Sequence, residues 1–379
     1  MAANPFKPTA GANPPLLVGR DEVIEEFIES IDDGPGAPGR LTIFSGPRGI
    51  GKTVMLNAVG NELQASHQWL VINETATPGF LDRIAEAARD LLDTGHRSVT
   101  GVTLPGYLGG GGITLAPPEQ QHPGGFRKAV GLLLDQCEAR QTGLLVTLDE
   151  VQVNPELAQL AADTQHLIRD DRQIAMVFAG IPSSVNDLLN DQLTTFLRRA
   201  NRVDLGDIPI ADAAAAIQAT LQENGRTISQ AALEAAARAT GGYPFMIQLV
   251  GYHIWRQSTA DHITIHAVTA GIEKARKRLG TLVLEAALRE LSCGDRAFLA
   301  AMAQGPSAGM DVKTSDVATR IGKDVKYASV YRDRLIAAGI ITAAGFGQVR
   351  FAIPYLREYL VENAAANGRP ARELIQAEA

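Results

Sequence analysis

Eight consecutive residues carry the clearest chemistry in the chain. They match the pattern G-x-x-x-x-G-K-[ST] and are Gly46, Pro47, Arg48, Gly49, Ile50, Gly51, Lys52 and Thr53. Glycines let a loop wrap its backbone N–H groups around phosphates, while the lysine reaches the β- and γ-phosphates and the hydroxyl binds Mg²⁺. An apolar run at 41–44 precedes the loop, and a helix-compatible stretch that includes Val54 follows it. These residues are predicted to bind the phosphates of ATP, with Lys52 also catalytic; an ordinary glycine-rich turn is the alternative.

Two adjacent carboxylates, Asp149 and Glu150, end a second apolar run. A carboxylate at the carboxyl end of a buried parallel strand lies at the sheet edge where ligands bind. We expect Asp149 to join Thr53 in holding Mg²⁺, and Glu150 to orient and polarise an attacking water as a catalytic residue. A glutamate placed for water attack favours an ATPase over a small-molecule kinase, because a kinase must exclude water.

Two further pairs of polar residues lie close to the later strand-like runs. Arg198 and Arg199 precede the fifth predicted strand, where a guanidinium could stabilise γ-phosphate charge in its own subunit or in a neighbour. The alternative is a solvated helix face with an acidic partner. Ser183 and Ser184 follow a proline, and we interpret them as a helix N-cap in preference to γ-phosphate ligands.

The elements that must position these residues form an α/β domain. Strand-like segments alternate with amphipathic stretches of helical length, and they lie at 41–45, 69–74, 143–149, 173–180 and 201–206. Because several of them are apolar on both faces, the sequence predicts a parallel sheet covered by helices on both sides, as in P-loop NTPases. This domain is predicted over 14–208, after a flexible N-terminus at 1–13. A glycine-rich insertion at 98–125 is either a hairpin or a disordered loop.

The C-terminal half of the chain changes in pattern. Residues 209–292 are predicted to form a helical lid without strong strand candidates, and 293–362 a winged helix-turn-helix. In the latter, helices at 315–321 and 326–338 precede a hairpin. Residues 363–379 are small and polar and are predicted to be a frayed tail.

Charge is unevenly distributed along the 379 residues. The net charge of −7 disfavours a protein that coats nucleic acid over its whole surface, yet residues 312–360 hold eight basic and four acidic residues. Residues 272–282 hold four basic residues and one acidic residue. Contact with double-stranded DNA is therefore predicted for the winged helix, with a protein-docking module as the alternative. The predicted DNA contacts are Lys323, Lys326, Ser329, Arg332 and Arg350.

The remaining composition bears on location. No apolar run has the length of a membrane span, the start of the chain lacks a secretory apolar region, and the two cysteines are far apart. These features predict a cytoplasmic protein that does not enter a membrane.

The order of the motifs resembles AAA+ and related STAND-type ATPases, nearest to the initiator-like, origin-recognition-related group in which a winged helix follows the lid. The resemblance covers about residues 14–362 and rests on residues 18–22, 46–53, 148–150, 179–182, 198–199 and 240–244. It implies that Val18, Gly19 and Arg20 line the adenine pocket and that Pro244 closes over the nucleotide from the lid. The lid motif Gly242-Tyr243-Pro244 is closer to the STAND pattern.

Taken together, these features predict a slow ATPase that uses ATP and Mg²⁺ and couples its nucleotide state to DNA binding. The alternative is a signalling switch whose winged helix binds a protein partner. A nucleotide-dependent homo-oligomer would place Arg198 or Arg199 in a neighbouring subunit's site.

Overall fold

The computed structural model describes residues 3–9, 11–12, 14–93, 125–258, 260–305 and 311–366. The predicted insertion at 98–125 lies outside these residues except for Gly125. Most of the predicted tail, residues 367–379, also lies outside them.

A five-stranded parallel sheet forms the centre of the N-terminal part, with strand order β2-β3-β4-β1-β5. The strands are β1 Leu41–Ser45, β2 Leu70–Thr75, β3 Leu144–Asp149, β4 Ile174–Gly180 and β5 Asn201–Asp204. Strands β1, β3 and β4 are almost wholly buried, because helices cover both faces. The predicted α/β fold class is confirmed.

Two groups of helices cover the sheet. The helices of this part are α1 Asp21–Asp32, α2 Lys52–His67, α3 Phe80–Asp93, α4 Phe126–Ala139, α5 Pro155–Arg169 and α6 Pro182–Asn190. Helices α3 to α6 pack on one face through residues such as Ile84, Leu133 and Leu160. Helices α1 and α2 pack on the other face, where the apolar core continues into the lid.

The lid is mainly helical. It contains α7 Ile210–Glu223, β6 Thr227–Ile228, α8 Gln230–Thr240, α9 Pro244–Gln257, β7 His262–Ile263 and α10 Ile265–Leu279. Strands β6 and β7 pair in parallel, although the sequence offered no strong strand signal here because each has only two residues. Ser229 caps α8 and Thr264 caps α10 through their side-chain oxygens.

Helix α10 runs on through a π-helical segment, Gly280–Leu284, into the short helix α11 Glu285–Arg289. We call residues 265–290, which form the last part of the lid, the connector, because they lead into the C-terminal domain.

The C-terminal domain has the two helices and hairpin of a winged helix. Its elements are α12 Cys293–Ala303, β8 Val312–Lys313, α13 Thr314–Ile321, α14 Val325–Ala337, β9 Ile341–Ala343, β10 Gln348–Phe351 and α15 Leu356–Ala366. The three strands form an antiparallel sheet in the order β8-β10-β9. Helix α15 continues past residue 362 into the predicted tail.

The N-terminal segment was predicted to be flexible, but residues 4–7 pack against the lid instead. Phe6 is buried against Gly251 of α9, where a methyl group on the glycine would overlap the ring. The Asn4 side-chain amide donates to the carbonyl of Tyr252 (3.0 Å), and the Lys7 backbone N–H donates to the Gln248 side chain (3.1 Å). Burial of Phe6 gives this segment a fixed place.

One apolar cluster joins the parts of the molecule. It extends from Phe6 through Leu56 under the sheet and Val250 in the lid to Phe298 and Leu356 in the winged helix. The lid and the winged helix are therefore packed onto the α/β part. None of the helices in the described ranges combines the length and apolarity needed to span a membrane.

Candidate nucleotide-binding site

A cavity of about 690 Å³ lies where the sheet edge, the lid, the N-terminal segment and the connector meet. This volume is in the range of small-molecule and cofactor sites. The residues of the predicted phosphate loop that line it are Arg48, Gly49, Ile50, Gly51, Lys52, Thr53 and Val54. Gly46 and Pro47 lie behind this wall.

The loop conformation depends on its glycines. The loop leaves β1 after Ser45 and enters α2 at Lys52, and Gly49 and Gly51 take φ angles of +77° and +96°. Such angles favour glycine. The first N–H groups of α2 lie at the end of the helix that borders the cavity. The partial positive charge of this helix end favours an anion there.

Lys52 is held inside the loop. Its ammonium group donates to the carbonyl oxygens of Gly46 and Pro47, at 2.9 Å each. Burial lowers the pKa of Lys52 to about 8, although the carboxylates of Asp149 and Glu150 partly oppose the shift. A desolvated cation of this kind gains stability when an anion approaches it.

The two carboxylates at the end of β3 occupy the facing wall. The Thr53 hydroxyl donates to Asp149 Oδ2 (2.5 Å), and the Glu150 backbone N–H donates to Asp149 Oδ1 (2.8 Å). Glu150 has a φ of +55°, an unusual backbone angle for a residue other than glycine that is often found at functional sites. Glu150 is also one of the residues that line the cavity.

The oxygen donors of Thr53 and Asp149 suit Mg²⁺, which takes few protein ligands and completes its shell with water and phosphate oxygens. Within the described part of the chain, no cluster of three or more His, Cys, Asp or Glu side chains forms a metal site of its own. The donor set thus fits a magnesium ion that arrives with a nucleotide better than a resident metal.

Tyr243 in the lid closes the back of the loop. Its hydroxyl donates to the carbonyl of Arg48, and its ring is fully buried. A methyl group on Gly49 would overlap this hydroxyl, so the contact requires glycine at that position. Burial, with the charge of Asp207, raises the pKa of Tyr243, and the group stays a neutral donor. In the sequence, Tyr243 is noticeable only as part of the lid motif, because no local pattern links residue 243 to residue 48.

The residues assigned to the adenine pocket lie at one end of the cavity. Val18 and Arg20 line it, and Gly19 turns the chain between them with a φ of +65°. The Arg20 guanidinium donates to the carbonyl of Gly206. Burial lowers the pKa of Arg20 and raises that of Asp207, and each partly offsets the other's shift. Pro244, the first residue of α9, lines the cavity from the lid.

Two other predictions are not met within one subunit. Arg198 and Arg199 are exposed and lie outside the cavity, and Arg198 donates to the carbonyls of Leu189 (2.6 Å) and Asn190 (3.3 Å) at the end of α6. A role in their own subunit's site is therefore not supported, and a role in a neighbour's site stays a prediction. The N-cap interpretation of the serines is wrong: α6 begins at Pro182, Ile181 is its N-cap, and Ser184 lines the cavity.

The predicted DNA contacts lie on the surface of the winged helix, and two of them are already paired. Arg332 donates to Asp333 (2.9 and 2.7 Å), and Arg350 pairs with Asp311 (2.8 and 2.7 Å). Among the others, the Lys323 ammonium lies 5.6 Å from the ring centre of Tyr327, Lys326 is exposed and Ser329 is half-buried. Carboxylates thus offset part of the positive charge of this face.

The fold and the phosphate loop together resemble those of AAA-type P-loop ATPases. Residues 16–175 match the family model described as "AAA ATPase domain", and residues 282–360 match one described as "Domain of unknown function (DUF8462)". Comparison with curated protein sequences gave no match.

The fold is also similar to solved structures over nearly the whole chain. The ORC2 protein of Aeropyrum pernix, solved in ADPNP and ADP complexes, aligns with a TM-score of 0.60 and 15% identity over 98% of this chain and 97% of its own. The Walker-type ATPase PABY2304 of Pyrococcus abyssi aligns with a TM-score of 0.66 and 15% identity over 91% of this chain and 96% of its own. At this identity the likeness is one of fold.

Proposed function

We propose that the protein binds ATP with Mg²⁺ in the cavity, hydrolyses it slowly, and couples its nucleotide state to DNA binding by the winged helix. One observation carries the proposal. A single cavity brings together Lys52 and Thr53 from the start of α2 with Asp149 and Glu150 from the end of β3. The nucleotide complexes of the similarly folded ORC2 protein support the choice of ligand.

Each residue has a role that follows from its surroundings. Lys52 would exchange its two loop carbonyls for phosphate oxygens, and Thr53 and Asp149 would hold Mg²⁺, which would neutralise phosphate charge. Glu150 would orient a water for attack on the γ-phosphorus; the bond to the bridging oxygen breaks, and ADP and phosphate leave. Glu150 lines the cavity and is exposed to solvent, as this role requires.

Contacts between the loop and the C-terminal part support the coupling. Arg48 of the loop pairs with Glu290 of the connector (3.1 Å), and Pro47 packs on Gly339 of the winged helix. Both side chains of the ion pair are about half exposed, so the pair is weak and easily exchanged for another partner. A nucleotide that attracts Arg48 therefore competes with Glu290 of the connector for this side chain.

The hydrolysis part is tested by the variant Glu150→Gln. We expect it to keep ATP affinity and to lose turnover by about a hundredfold or more, because the amide cannot polarise water as the carboxylate does. ATP binding and phosphate release are measured on the same preparation. Normal turnover by this variant would remove Glu150 from its role.

The DNA part is tested by electrophoretic mobility of duplex DNA with the wild-type protein in ADP and in ADPNP. We expect a shift that differs between the two nucleotides and weakens steeply as salt is raised. A shift that is absent, or that ignores both nucleotide and salt, would overturn this part and leave the ATPase part standing.

A specific observation favours a protein partner as the second candidate. Arg332 and Arg350 are already paired, while Val325, Val330 and Phe346 on the winged helix expose large apolar groups. Exposed apolar side chains are more typical of protein contacts than of phosphate contacts. Binding of a protein in a nucleotide-dependent manner, without any DNA shift, would select this candidate.

A further inference from the structure

Arg278 lines the nucleotide cavity, although it belongs to none of the sequence motifs. It lies in the last turn of α10, just before the π-helical segment of the connector. Leu282 and Val283 of that segment line the cavity beside it. Irregular helical turns of this kind are frequent at functional sites.

Among the described arginines that line the cavity, only Arg278 has no polar partner. Arg20 donates to the Gly206 carbonyl, Arg48 pairs with Glu290, and Lys52 donates to two loop carbonyls. Within the described ranges, the guanidinium of Arg278 makes no hydrogen bond or ion pair. It therefore offers a full set of donors to the cavity.

Other basic residues near Arg278 make this region still more favourable for an anion. His253 of α9 has its pKa lowered by burial and also by Arg256, Lys274 and Arg278, so these cations lie near one another. Two basic neighbours on the same helix have polar partners. Lys274 donates to Gln257 (3.1 Å), and Arg276 donates to Glu273 and Glu362 (3.4 Å each).

The connector also reaches the phosphate side of the cavity. Its last residue, Glu290, contacts Arg48 of the phosphate loop, and Arg278 lines the same cavity as that loop. We propose that Arg278 binds the phosphates of the nucleotide, so that the connector contributes directly to the ATP site. This inference rests on the proposed function and deepens it, because the connector leads into the winged helix.

The test compares three variants with the wild-type protein by calorimetric titration with Mg²⁺·ATP. Arg278→Gln removes the charge, and we expect ATP affinity to fall about tenfold, as for loss of a charge-assisted hydrogen bond. The matched control is Lys277→Gln. It removes the same charge from the neighbouring residue, which does not line the cavity. We expect its affinity to stay within about twofold of the wild type.

Arg278→Lys keeps the charge but loses the planar fork, so we expect an intermediate affinity. It also serves if Arg278→Gln fails to fold, which thermal unfolding followed by circular dichroism would reveal. Wild-type affinity in whichever of the two variants folds, or an equal loss in Lys277→Gln, would overturn the proposal. Failure of the wild-type protein to bind ATP would instead overturn the proposed function, so the two failures are distinguishable.

Discussion

Basic side chains occupy both the nucleotide cavity and the winged helix, but their surroundings differ. In the cavity, Lys52 is half-buried, and its partners among the described residues are two backbone carbonyls, which share its charge without neutralising it. On the winged helix, Arg332 is partly exposed and Arg350 is exposed, and each is already paired with a carboxylate.

The difference shows which of the two regions is stabilised more when an anion binds. Burial without a neutralising partner leaves a cation that gains from an arriving anion, whereas a solvated ion pair must first be broken. The cavity is therefore organised for an anionic ligand in a way that the winged helix is not. The following variants probe this contrast, from the largest expected effect to the smallest.

Lys52→Ala tests whether ATP binding depends on the positive charge of Lys52. We expect ATP affinity to fall by about a hundredfold or more, because the variant leaves the phosphates without their buried cation. Titration with a fluorescent ATP analogue measures the loss. Thermal unfolding in the absence of nucleotide should change little, because loss of the two hydrogen bonds to loop carbonyls is offset by relief of the cost of burying the ammonium group. Near-normal affinity would contradict the role of Lys52.

Gly49→Ala tests the fit between the loop and the lid. The new methyl group would overlap the Tyr243 hydroxyl at a position whose φ is already +77°, so we expect a loss of about 2–4 kcal/mol in unfolding free energy. Gly51→Ala is the matched control, because its φ is +96° but nothing lies within 4 Å of its added methyl group. Equal destabilisation by the two, measured by urea unfolding, would show that the Tyr243 contact is unimportant.

The pH dependence of ATP binding follows from the lowered pKa of Lys52. Phosphates bind the protonated amine and raise its pKa again, so binding takes up a proton once the pH exceeds the ligand-free value of about 8. Affinity is then fully present below about pH 8 and falls by up to about tenfold per pH unit above it. Calorimetry in two buffers of different ionisation enthalpy detects the proton uptake. Constant affinity up to about pH 9.5 would rule out this titration.

Replacement of basic residues on the winged helix tests the other side of the comparison. Lys326→Ala removes an exposed charge, and we expect DNA affinity to fall only about twofold to fivefold, with a shallower salt dependence. Arg350→Ala should have a smaller effect, because Asp311 already offsets that charge. A larger loss for Arg350→Ala, measured by fluorescence anisotropy, would mean that the ion pair opens on DNA.

The features predicted from sequence are those with local signatures. The continuous apolar runs of β1, β3 and β4 identify buried parallel strands, and the phosphate-loop spacing identifies the turn between β1 and α2. Asp149 and Glu150 were placed at the sheet edge because they end such a run. The winged helix was predicted from its helix and turn pattern.

The features that escaped prediction depend on contacts between distant residues. Tyr243 meets Arg48 and Phe6 meets Gly251 only in the folded chain, and neither pair has a local pattern. Arg278 resembled any surface arginine of an amphipathic helix until the connector was seen to line the cavity. Arg198 shows the converse, since its position before a strand suggested a phosphate contact while its donors are used by the end of α6.

The docking of Phe6 against Gly251 has a consequence for biosynthesis. Residues 7–9, 11 and 12 follow Phe6 and supply part of the cavity wall, yet the surface that holds Phe6 belongs to a helix synthesised much later. Because domains fold as they emerge, the α/β part can form around its phosphate loop before the lid exists. The nucleotide pocket is therefore completed late, and a nascent chain that stops before α9 would carry the phosphate loop with one wall of its pocket still open.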